Sequence, residues 1–301
     1  MPDEAALERL DELGFLDSRR MLDLIREFFG GSRYAGLPAD NKAALDSLMP
    51  PLIQVSAHQA HPDDTLARIL TLLENIARRA PYLCLLREYP QSLAQVAKIV
   101  CSSPWAAQYL TRQPHLLDEL LDPRNLMAPP QWDLKRHELR ARIEAFTGDT
   151  ERQMDELRHF KQSETFRLLA QDLAGMWTVE HLSDQLSYLA DLLLEQTLLL
   201  CWEGLPRKHR DEPAFAVIAY GKLGGKELGY ASDLDLVFLY DDPHPDAQEV
   251  YSRLGKRMNT WLGTLTSAGM LYEIDLRLRP DGASGLLVSS IEAFEDYQRH
   301  H

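Results

Sequence analysis

Glycine is distributed very unevenly along this chain. None of its sixteen glycines lies between Gly36 and Gly148, whereas ten of them lie at or after Gly204. A long stretch without glycine, in which apolar residues recur every three or four positions, is typical of stacked α-helices. This pattern therefore predicts that the first 200 residues are all-helical and include two long helices, near residues 151–173 and 179–202.

Proline residues divide this helical region into shorter pieces. One predicted helix spans residues 65–77, where five apolar residues form a single stripe after the start signal Pro62-Asp63-Asp64. Proline ends a helix because it pushes the preceding residue out of the helical conformation. We therefore expect helices to be separated at Pro50-Pro51, Pro81, Pro90, Pro104, Pro114, Pro123 and Pro129-Pro130.

The pattern changes after Gly204 to short apolar runs bounded by glycine, which predict buried strands. Strands are predicted at Phe215–Tyr220, Asp233–Tyr240 and Met270–Leu278, the last with clear alternation, and a fourth at Ser284–Ser290. A helix is predicted between the second and third strands, at residues 247–267. The fold class is therefore predicted to be α+β, with a helical first domain at residues 1–145 and a second domain at residues 146–301.

Composition narrows the class of protein. The chain has 301 residues, with 32 Lys and Arg against 46 Asp and Glu, so its net charge is −14. A field of this sign repels phosphate backbones, and we expect no nucleic-acid partner. No apolar run approaches the roughly 18 residues of a membrane helix, the three cysteines lack a disulfide framework spacing, and no signal peptide is recognisable. We expect a cytoplasmic protein without a membrane partner.

A glycine-rich turn followed by two aspartates occupies residues 221–236 and suggests phosphate chemistry. Asp233 and Asp235 are two positions apart at the start of a predicted strand, so both carboxylates face one side, while Leu234 and Leu236 anchor the other. Two carboxylates about 4 Å apart repel each other by roughly 4 kcal/mol at an effective dielectric constant of 20. A divalent cation removes this conflict, and a small set of oxygen ligands favours Mg²⁺.

The third predicted strand contributes further charged candidates. Asp275 lies on its polar face with Glu273, and three carboxylates on adjacent strands suit two-metal nucleotidyl transfer. Asp275 is also the candidate proton acceptor. Lys222, Arg277 and Arg279 are candidates for charge-assisted contacts with a triphosphate. The alternatives are that an Asp-x-Asp pair is merely solvated and that the two arginines pair with Glu273 and Asp275 at the surface.

Residues 221–242 (GKLGGKELGYASDLDLVFLYDD) and 271–290 (LYEIDLRLRPDGASGLLVSS) closely resemble the glutamine synthetase adenylyltransferase family. These are bifunctional bacterial enzymes of nitrogen regulation, in which each half holds a nucleotidyltransferase domain of the DNA polymerase β type. Residues 103–123 and 157–175 resemble the helical region of that family, so the resemblance covers nearly the whole chain. The segment ELGYASDLDLVFLYD is similar to the C-terminal half of those enzymes, which attaches AMP. The family's proteins are far longer, and we expect this chain to be a fragment.

The resemblance implies a site and its cofactors. Asp233, Asp235 and Asp275 would hold Mg²⁺ as catalytic residues, with ATP as the substrate. The residues bordering the ATP phosphates would be Gly221, Lys222, Gly224, Gly225 and Ser232, together with Arg277 and Arg279. Two alignments of the phosphate turn stay open, one on Gly221-Lys222 and one on Gly224-Gly225. Residues 146–301 would be a C-terminally truncated catalytic domain with a small mixed sheet and flanking helices, and residues 1–145 a linker or regulatory domain.

The function implied is transfer of AMP from ATP to a tyrosine of glutamine synthetase, which controls nitrogen assimilation. Two alternatives remain. In the first, the chain is the phosphorolytic de-adenylylating domain of the same family. In the second, it is a non-catalytic fragment whose helical half docks on glutamine synthetase or on the PII signal protein.

Overall fold

Helices make up most of the structure, a computed structural model that describes residues 3–300. No strand occurs among the described residues before Gly204, which confirms the all-helical prediction. The helices of this part are α1 (Asp3–Leu13), α2 (Ser18–Gly30), α3 (Ser32–Ala35), α4 (Ala39–Ala57), α5 (Pro62–Ile76), α6 (Ala80–Glu88), α7 (Pro90–Ser102), α8 (Pro104–Arg112), a 3-10 helix (Pro114–Leu121), α9 (Pro123–Leu126), α10 (Trp132–Glu144), α11 (Thr150–Leu173) and α12 (Val179–Glu203).

The rest of the chain combines a small sheet with helices. Its elements are β1 (Phe215–Ala219), α13 (Gly221–Gly224), β2 (Leu234–Tyr240), α14 (Ala247–Gly263), β3 (Ile274–Asp275), a 3-10 helix (Gly282–Ser284), β4 (Val288–Ser290) and α15 (Ile291–His300). β1 pairs with β2 antiparallel, whereas β3 and β4 both pair with β2 in parallel, at its beginning and its end respectively. The sheet is therefore mixed, and the predicted α+β class is confirmed.

Packing divides the described chain into two units. The first comprises the residues before Pro129 together with Leu169–Ala174, and the second comprises Pro129–Leu168 with the residues from Gly175 onward. The sheet belongs to the second unit. The functional division predicted at residues 1–145 and 146–301 stays a prediction. Among residues 3–300, no helix is long and apolar enough to cross a bilayer.

The predicted stripe on α5 forms part of the core of the first unit. Leu66, Ile69, Leu73 and Ile76 are completely buried, and the helix begins at Pro62 as the sequence indicates. Burying one such side chain contributes about 2 kcal/mol. Local periodicity and tertiary packing therefore agree here.

The prolines confirm most of the predicted helix boundaries but not all. Five of the helices and 3-10 helices begin at or beside a predicted proline. The break predicted at Pro50-Pro51 is wrong, because α4 continues through both residues. Each proline removes one helical hydrogen bond, but Leu45, Leu48 and Leu52 on either side are completely buried. Their packing outweighs the lost bonds.

The third strand is much shorter than predicted. Instead of Met270–Leu278 it contains only Ile274–Asp275. Before it, side chains of α11 bind the backbone carbonyls, and the Lys161 ammonium donates to the carbonyl oxygen of Leu271 at 2.6 Å. After it, the backbone N–H of Arg277 donates to a carboxylate oxygen of Asp275 at 2.8 Å and turns the chain. Arg158 of α11 likewise bonds to the carbonyl oxygens of Trp261 and Thr264 where α14 ends, at Gly263 instead of residue 267. The fourth strand contains only Val288–Ser290, and the carbonyl oxygen of Gly285 before it accepts from Arg279 instead.

A buried carboxylate fastens the segment before β1 to the sheet. Asp242 Oδ2 accepts from the phenol of Tyr251 at 2.8 Å and from Arg210 at 3.2 Å, and it lies 2.7 Å from His209 Nε2. Burial by itself would raise the pKa of Asp242. The hydrogen bonds from His209, the His244 backbone, Tyr251 and Arg210 outweigh that effect and hold the pKa well below its usual range.

We expect Asp242→Asn to lower the free energy of unfolding by about 1–3 kcal/mol at pH 7. A carboxylate with a lowered folded-state pKa stabilises the fold above its unfolded pKa of about 4, and this stabilisation is lost as the pH falls below it. Urea denaturation at pH 7 and pH 3 should therefore show a difference that shrinks in acid. Asp241→Asn, at an exposed neighbour, serves as control. An Asp242→Asn deficit that is equal at both pH values would contradict the assignment.

Candidate active site

Two of the predicted site aspartates lie on neighbouring strands. Asp235 is the second residue of β2 and Asp275 is the second residue of β3. The strands run parallel, and their register pairs Asp235 with Asp275. Paired residues of neighbouring strands project to the same face of a sheet, and the strands are about 4.8 Å apart. The two carboxylates therefore begin side by side on one face.

Asp233 immediately precedes β2 and is partly buried, as Asp235 is. Leu234 and Leu236 are completely buried and anchor this end of the strand in the core. The backbone N–H of Leu234 also donates to the carbonyl oxygen of Glu273 at 2.9 Å. This bond ties the beginning of β2 to the segment that carries Asp275.

Arg277 supplies a positive charge to this group of carboxylates. Its Nε lies 2.8 Å from Asp275 Oδ2 and 3.0 Å from Oδ1, and its Nη2 also bonds to Oδ2. The side-chain hydrogen bond from Arg277, followed by its backbone N–H, lowers the pKa of Asp275 to about 2. The pKa of Arg277 is raised chiefly by Asp275, with smaller contributions from Asp235 and Asp233. The guanidinium therefore lies within the field of all three carboxylates.

This arrangement differs from the predicted three-ligand metal site in one respect. Within residues 3–300, no three Asp, Glu, His or Cys side chains converge closely enough to hold a metal ion. The pairing of Asp275 with Arg277, one of the alternatives left open by the sequence, explains this. The bidentate ion pair directs the Asp275 carboxylate toward the guanidinium.

Gly221 lies directly against the Asp235 carboxylate. Its φ of +52° favours glycine, and a Cβ built on it would overlap Oδ2 of Asp235. The backbone N–H of Tyr220 donates to the carbonyl oxygen of Asp235 at 2.9 Å, which extends the β1–β2 pairing to the edge of the turn. The backbone of the glycine-rich turn thus approaches Asp235 as closely as it can, and only glycine allows it.

The remaining residues of the turn have different environments. Gly224 is confined, because a Cβ there would lie 2.5 Å from the carbonyl oxygen of Ala219, whereas Gly225 has only ordinary contacts. The Ser232 hydroxyl accepts a hydrogen bond from the backbone N–H of Gly229 at 3.0 Å. The Lys222 side chain is exposed. The two candidate pairs for the phosphate turn, Gly221-Lys222 and Gly224-Gly225, therefore lie in one short segment whose first residue contacts Asp235.

Arg279 is engaged with its own loop. Its Nη1 donates to the carbonyl oxygen of Leu276 at 2.5 Å, its Nη2 to that of Ala283 at 3.1 Å and its Nε to that of Gly285 at 3.4 Å. A Cβ on Gly285 would overlap the carbonyl oxygen of Pro280, so this loop folds tightly around the guanidinium. In this structure Arg279 supports the loop after β3, and its predicted phosphate contact stays a prediction.

A sequence model of the glutamate-ammonia ligase adenylyltransferase family matches residues 93–301. The chain belongs to this family. The match includes the glycine-rich turn, all three aspartates and both arginines of the candidate site.

Curated relatives carry the name bifunctional glutamine synthetase adenylyltransferase/adenylyl-removing enzyme. The relative from Chromobacterium violaceum is 54% identical over 292 residues, which cover 97% of this chain and 33% of the relative. The relative from Aromatoleum aromaticum is 59% identical over 262 residues, or 87% of this chain and 28% of the relative. The relative from Neisseria meningitidis serogroup A is 52% identical over 299 residues, or 99% and 33%. This chain of the adenylyltransferase family therefore spans about a third of the length of these relatives.

The donor set of this adenylyltransferase-family chain fits a hard divalent cation. Asp233, Asp235 and Asp275 offer only oxygen ligands, which Mg²⁺ prefers. Gly221 adds no side chain beside the Asp235 carboxylate. Asp275 already pairs with one cationic group, the guanidinium of Arg277. Mg²⁺ is therefore chemically compatible with the residues present.

Sequence reasoning missed the residues that support this site from α11. Arg158, Lys161 and Gln162 bind carbonyls of the loop before β3. In the sequence they were only part of a segment that resembles the family. Their positions i, i+3 and i+4 lie on one side of the helix, but α11 is rich in polar residues along its length, so the sequence pattern does not distinguish them.

Proposed function

We propose that this chain carries the nucleotidyl-transfer centre of a glutamine synthetase adenylyltransferase, which moves AMP from ATP to a tyrosine of glutamine synthetase. The observation that carries the proposal is the pairing of Asp235 with Asp275 on neighbouring parallel strands, directly against the backbone of Gly221. The name of the relatives supports glutamine synthetase as the acceptor and an adenylyl group as the group transferred. A DNA polymerase β type core, with catalytic residues 146–301 and a regulatory domain at residues 1–145, is part of the proposal.

In this reaction the tyrosine oxygen attacks the α-phosphorus of ATP. The bond from that phosphorus to the bridging oxygen breaks, pyrophosphate leaves, and the tyrosine proton passes to a base. Asp233, Asp235 and Asp275 would hold Mg²⁺. Bound Mg²⁺ would supply positive charge for the triphosphate and would acidify the attacking hydroxyl.

The protein's own residues supply binding and orientation. Gly221 to Gly225 allow the backbone to approach the phosphates, with Ser232 fixing the turn and Lys222 offering an exposed ammonium. The Asp275 carboxylate, whose pKa is about 2 beside Arg277, is a weak base while that ion pair persists. We propose that Arg277 turns to the triphosphate when ATP binds, which releases Asp275 and adds a charge-assisted phosphate contact.

The relatives' name also includes an adenylyl-removing activity, and the same carboxylates suit the reverse chemistry. In that case orthophosphate attacks the phosphorus of AMP-tyrosine, the bond from that phosphorus to the tyrosine oxygen breaks, and ADP forms. The leaving tyrosine oxygen takes up a proton, which restores the hydroxyl. A docking role of the helical residues toward the PII signal protein belongs to this proposal as well. So does a cytoplasmic location, in which the three free cysteines would stay reduced.

The test measures the intact subunit mass of glutamine synthetase. Unmodified glutamine synthetase incubated with this chain, ATP and Mg²⁺ should gain one AMP per subunit, and the Asp233→Asn variant should give no gain. In the second arm, adenylylated glutamine synthetase with orthophosphate reveals the phosphorolytic direction as a loss of AMP. No mass change in either arm would refute a self-sufficient catalytic centre. A gain that persists in Asp233→Asn would refute the assigned carboxylate.

A further inference from the structure

Arg158 of α11 is completely buried and binds only backbone carbonyls through the hydrogen bonds that the structure shows. Its Nε donates to Gly269 at 2.7 Å, its Nη1 to Met154 at 2.8 Å, and its Nη2 to Trp261 at 2.9 Å and to Thr264 at 2.7 Å. The last two carbonyls lie at the C-terminal end of α14, where a positive charge is favourable. One side chain thus joins α11, the end of α14 and the following loop.

Two neighbours of Arg158 extend these contacts along the same loop. The ammonium of Lys161 donates to the carbonyl oxygen of Leu271 at 2.6 Å and lies 3.7 Å from the ring centroid of Tyr272. Gln162 Nε2 donates to the carbonyl oxygen of Ala268 at 2.7 Å. The backbone of residues 268–271 is therefore bonded to a helix more than 100 positions earlier in the chain.

Asp155, one turn before Arg158 on the same helix, completes the set. It accepts from the hydroxyls of Thr266 at 2.5 Å and Ser267 at 2.9 Å. Positions 155, 158 and 162 recur at the spacing of one helix face. We call the four side chains Asp155, Arg158, Lys161 and Gln162 the tether.

Burying such a cluster of polar and charged side chains carries a large desolvation cost. Burial lowers the pKa of Lys161 to about 8, which shows that its charge is poorly solvated there. Apolar residues of similar size often give equal or better stability at such positions. A contribution to geometry, and not to stability alone, would account for charged groups at these positions.

The loop held by the tether leads directly into the candidate site. Leu271, bonded to Lys161, precedes Asp275 by only four residues. β3 itself pairs with β2 at just two positions, Leu234 with Ile274 and Asp235 with Asp275. A two-residue strand fixes its own position weakly. The contacts before β3 must therefore contribute to where Asp275 lies.

We infer that the tether is a set of positioning residues, which fixes the loop before β3 and thereby holds the Asp275 carboxylate beside Asp235. The effect of the tether on catalysis rests on the proposed function, because the position of Asp275 affects the binding of metal and ATP only if this site transfers AMP. The positional part stands on the contacts alone and is measurable without ligand.

The experiment replaces Lys161 by methionine, which keeps the length of the side chain and removes the bond to Leu271. The readout is hydrogen exchange of the Leu234 amide, which bonds to Glu273 in the segment that the tether supports. We expect exchange at Leu234 to become about tenfold faster through local opening. The Tyr220 amide, which bonds to Asp235 on the other side of β2, should be unchanged.

Lys135→Met is the matched control. Lys135 forms a 2.8 Å ion pair with Glu164 of α11 and makes no hydrogen bond to the loop, so it should leave exchange at Leu234 unchanged. Lys161→Arg, which keeps a charged donor, should restore slow exchange. Gln162→Leu, which removes the bond to Ala268, should accelerate it by itself and serves if Lys161→Met does not fold.

A second readout is the affinity for Mn²⁺, used in place of Mg²⁺ and measured by calorimetry. We expect about tenfold weaker binding in Lys161→Met than in Lys135→Met. Unchanged exchange at Leu234 in both folded tether variants would overturn the inference. Faster exchange with unchanged Mn²⁺ affinity would overturn its link to the metal. If exchange changes but the unsubstituted chain neither binds Mn²⁺ nor transfers AMP, the proposed function fails while the positional inference stands.

Discussion

Replacement of Asp235 by asparagine is expected to lower the rate of AMP transfer at least about 1,000-fold. Asp235 pairs with Asp275 across β2 and β3 and lies against Gly221, so in the proposed function its carboxylate would face both the metal and the phosphates. Asparagine has nearly the same shape, so packing should be preserved, but it removes the negative charge that a divalent cation requires. The loss should appear in kcat at saturating ATP, measured by the rate of mass gain in glutamine synthetase.

The fold should survive this change. Asp235 is partly exposed and Leu234 and Leu236 hold the strand in the core, so the unfolding midpoint should stay close to that of the unsubstituted chain. Asp241→Asn, at an exposed aspartate just after β2, should keep full activity and controls for a general effect of lost charge. Binding of Mn²⁺ should weaken with Asp235→Asn only. Activity within tenfold of the unsubstituted chain would refute the central role of Asp235.

Replacement of Gly221 by alanine should be nearly as damaging, although it adds a single methyl group. The new Cβ would overlap Oδ2 of Asp235, and the φ of +52° at this position is unfavourable for any residue with a side chain. We expect a loss of AMP transfer of about 100-fold or more, since a displacement of about 1 Å at a reacting centre has effects of this size. The left-handed backbone should also cost about 1–2 kcal/mol of stability.

Two neighbouring glycines separate these effects. Gly225→Ala introduces only ordinary contacts, the nearest at 3.4 Å, and should be nearly silent in stability. Gly224→Ala places a Cβ 2.5 Å from the carbonyl oxygen of Ala219, so it strains the turn without touching Asp235. Comparable denaturation midpoints for the variants at Gly221 and Gly224, with a much larger loss of Mn²⁺ binding at Gly221, would support the assignment. Equal losses of Mn²⁺ binding would show that turn strain alone is responsible.

Elements governed by local pattern could be predicted well. The long helix expected near residues 151–173 is observed at Thr150–Leu173, and the strand expected at Phe215–Tyr220 is observed at Phe215–Ala219. Helical periodicity and short apolar runs are properties of neighbouring residues, so the sequence displays them directly. The two aspartates two positions apart at the start of β2 are likewise a local pattern that can be seen in the sequence.

Elements whose limits depend on distant partners could not be predicted. The alternation of Met270–Leu278 is a genuine strand pattern, yet the tether from α11 binds the carbonyls before Ile274, and only two residues remain in the sheet. Pro50-Pro51 is likewise a genuine break signal, overruled by leucines buried on both sides. In both cases tertiary contacts outweighed a local conformational preference that the sequence does show.

The sequence by itself determined which residue types are available to the site: two aspartates two positions apart, a glycine-rich turn before them, and a third aspartate followed by two arginines. Tertiary structure alone decided their partners. It paired Asp235 with Asp275, placed Gly221 under that carboxylate, bonded Asp275 to Arg277 and turned Arg279 into its own loop. The physical reason is that residue type and local period are encoded along the chain. Strand register and hydrogen bonding instead depend on which segments, some more than a hundred positions apart, compete for the same backbone and charged groups.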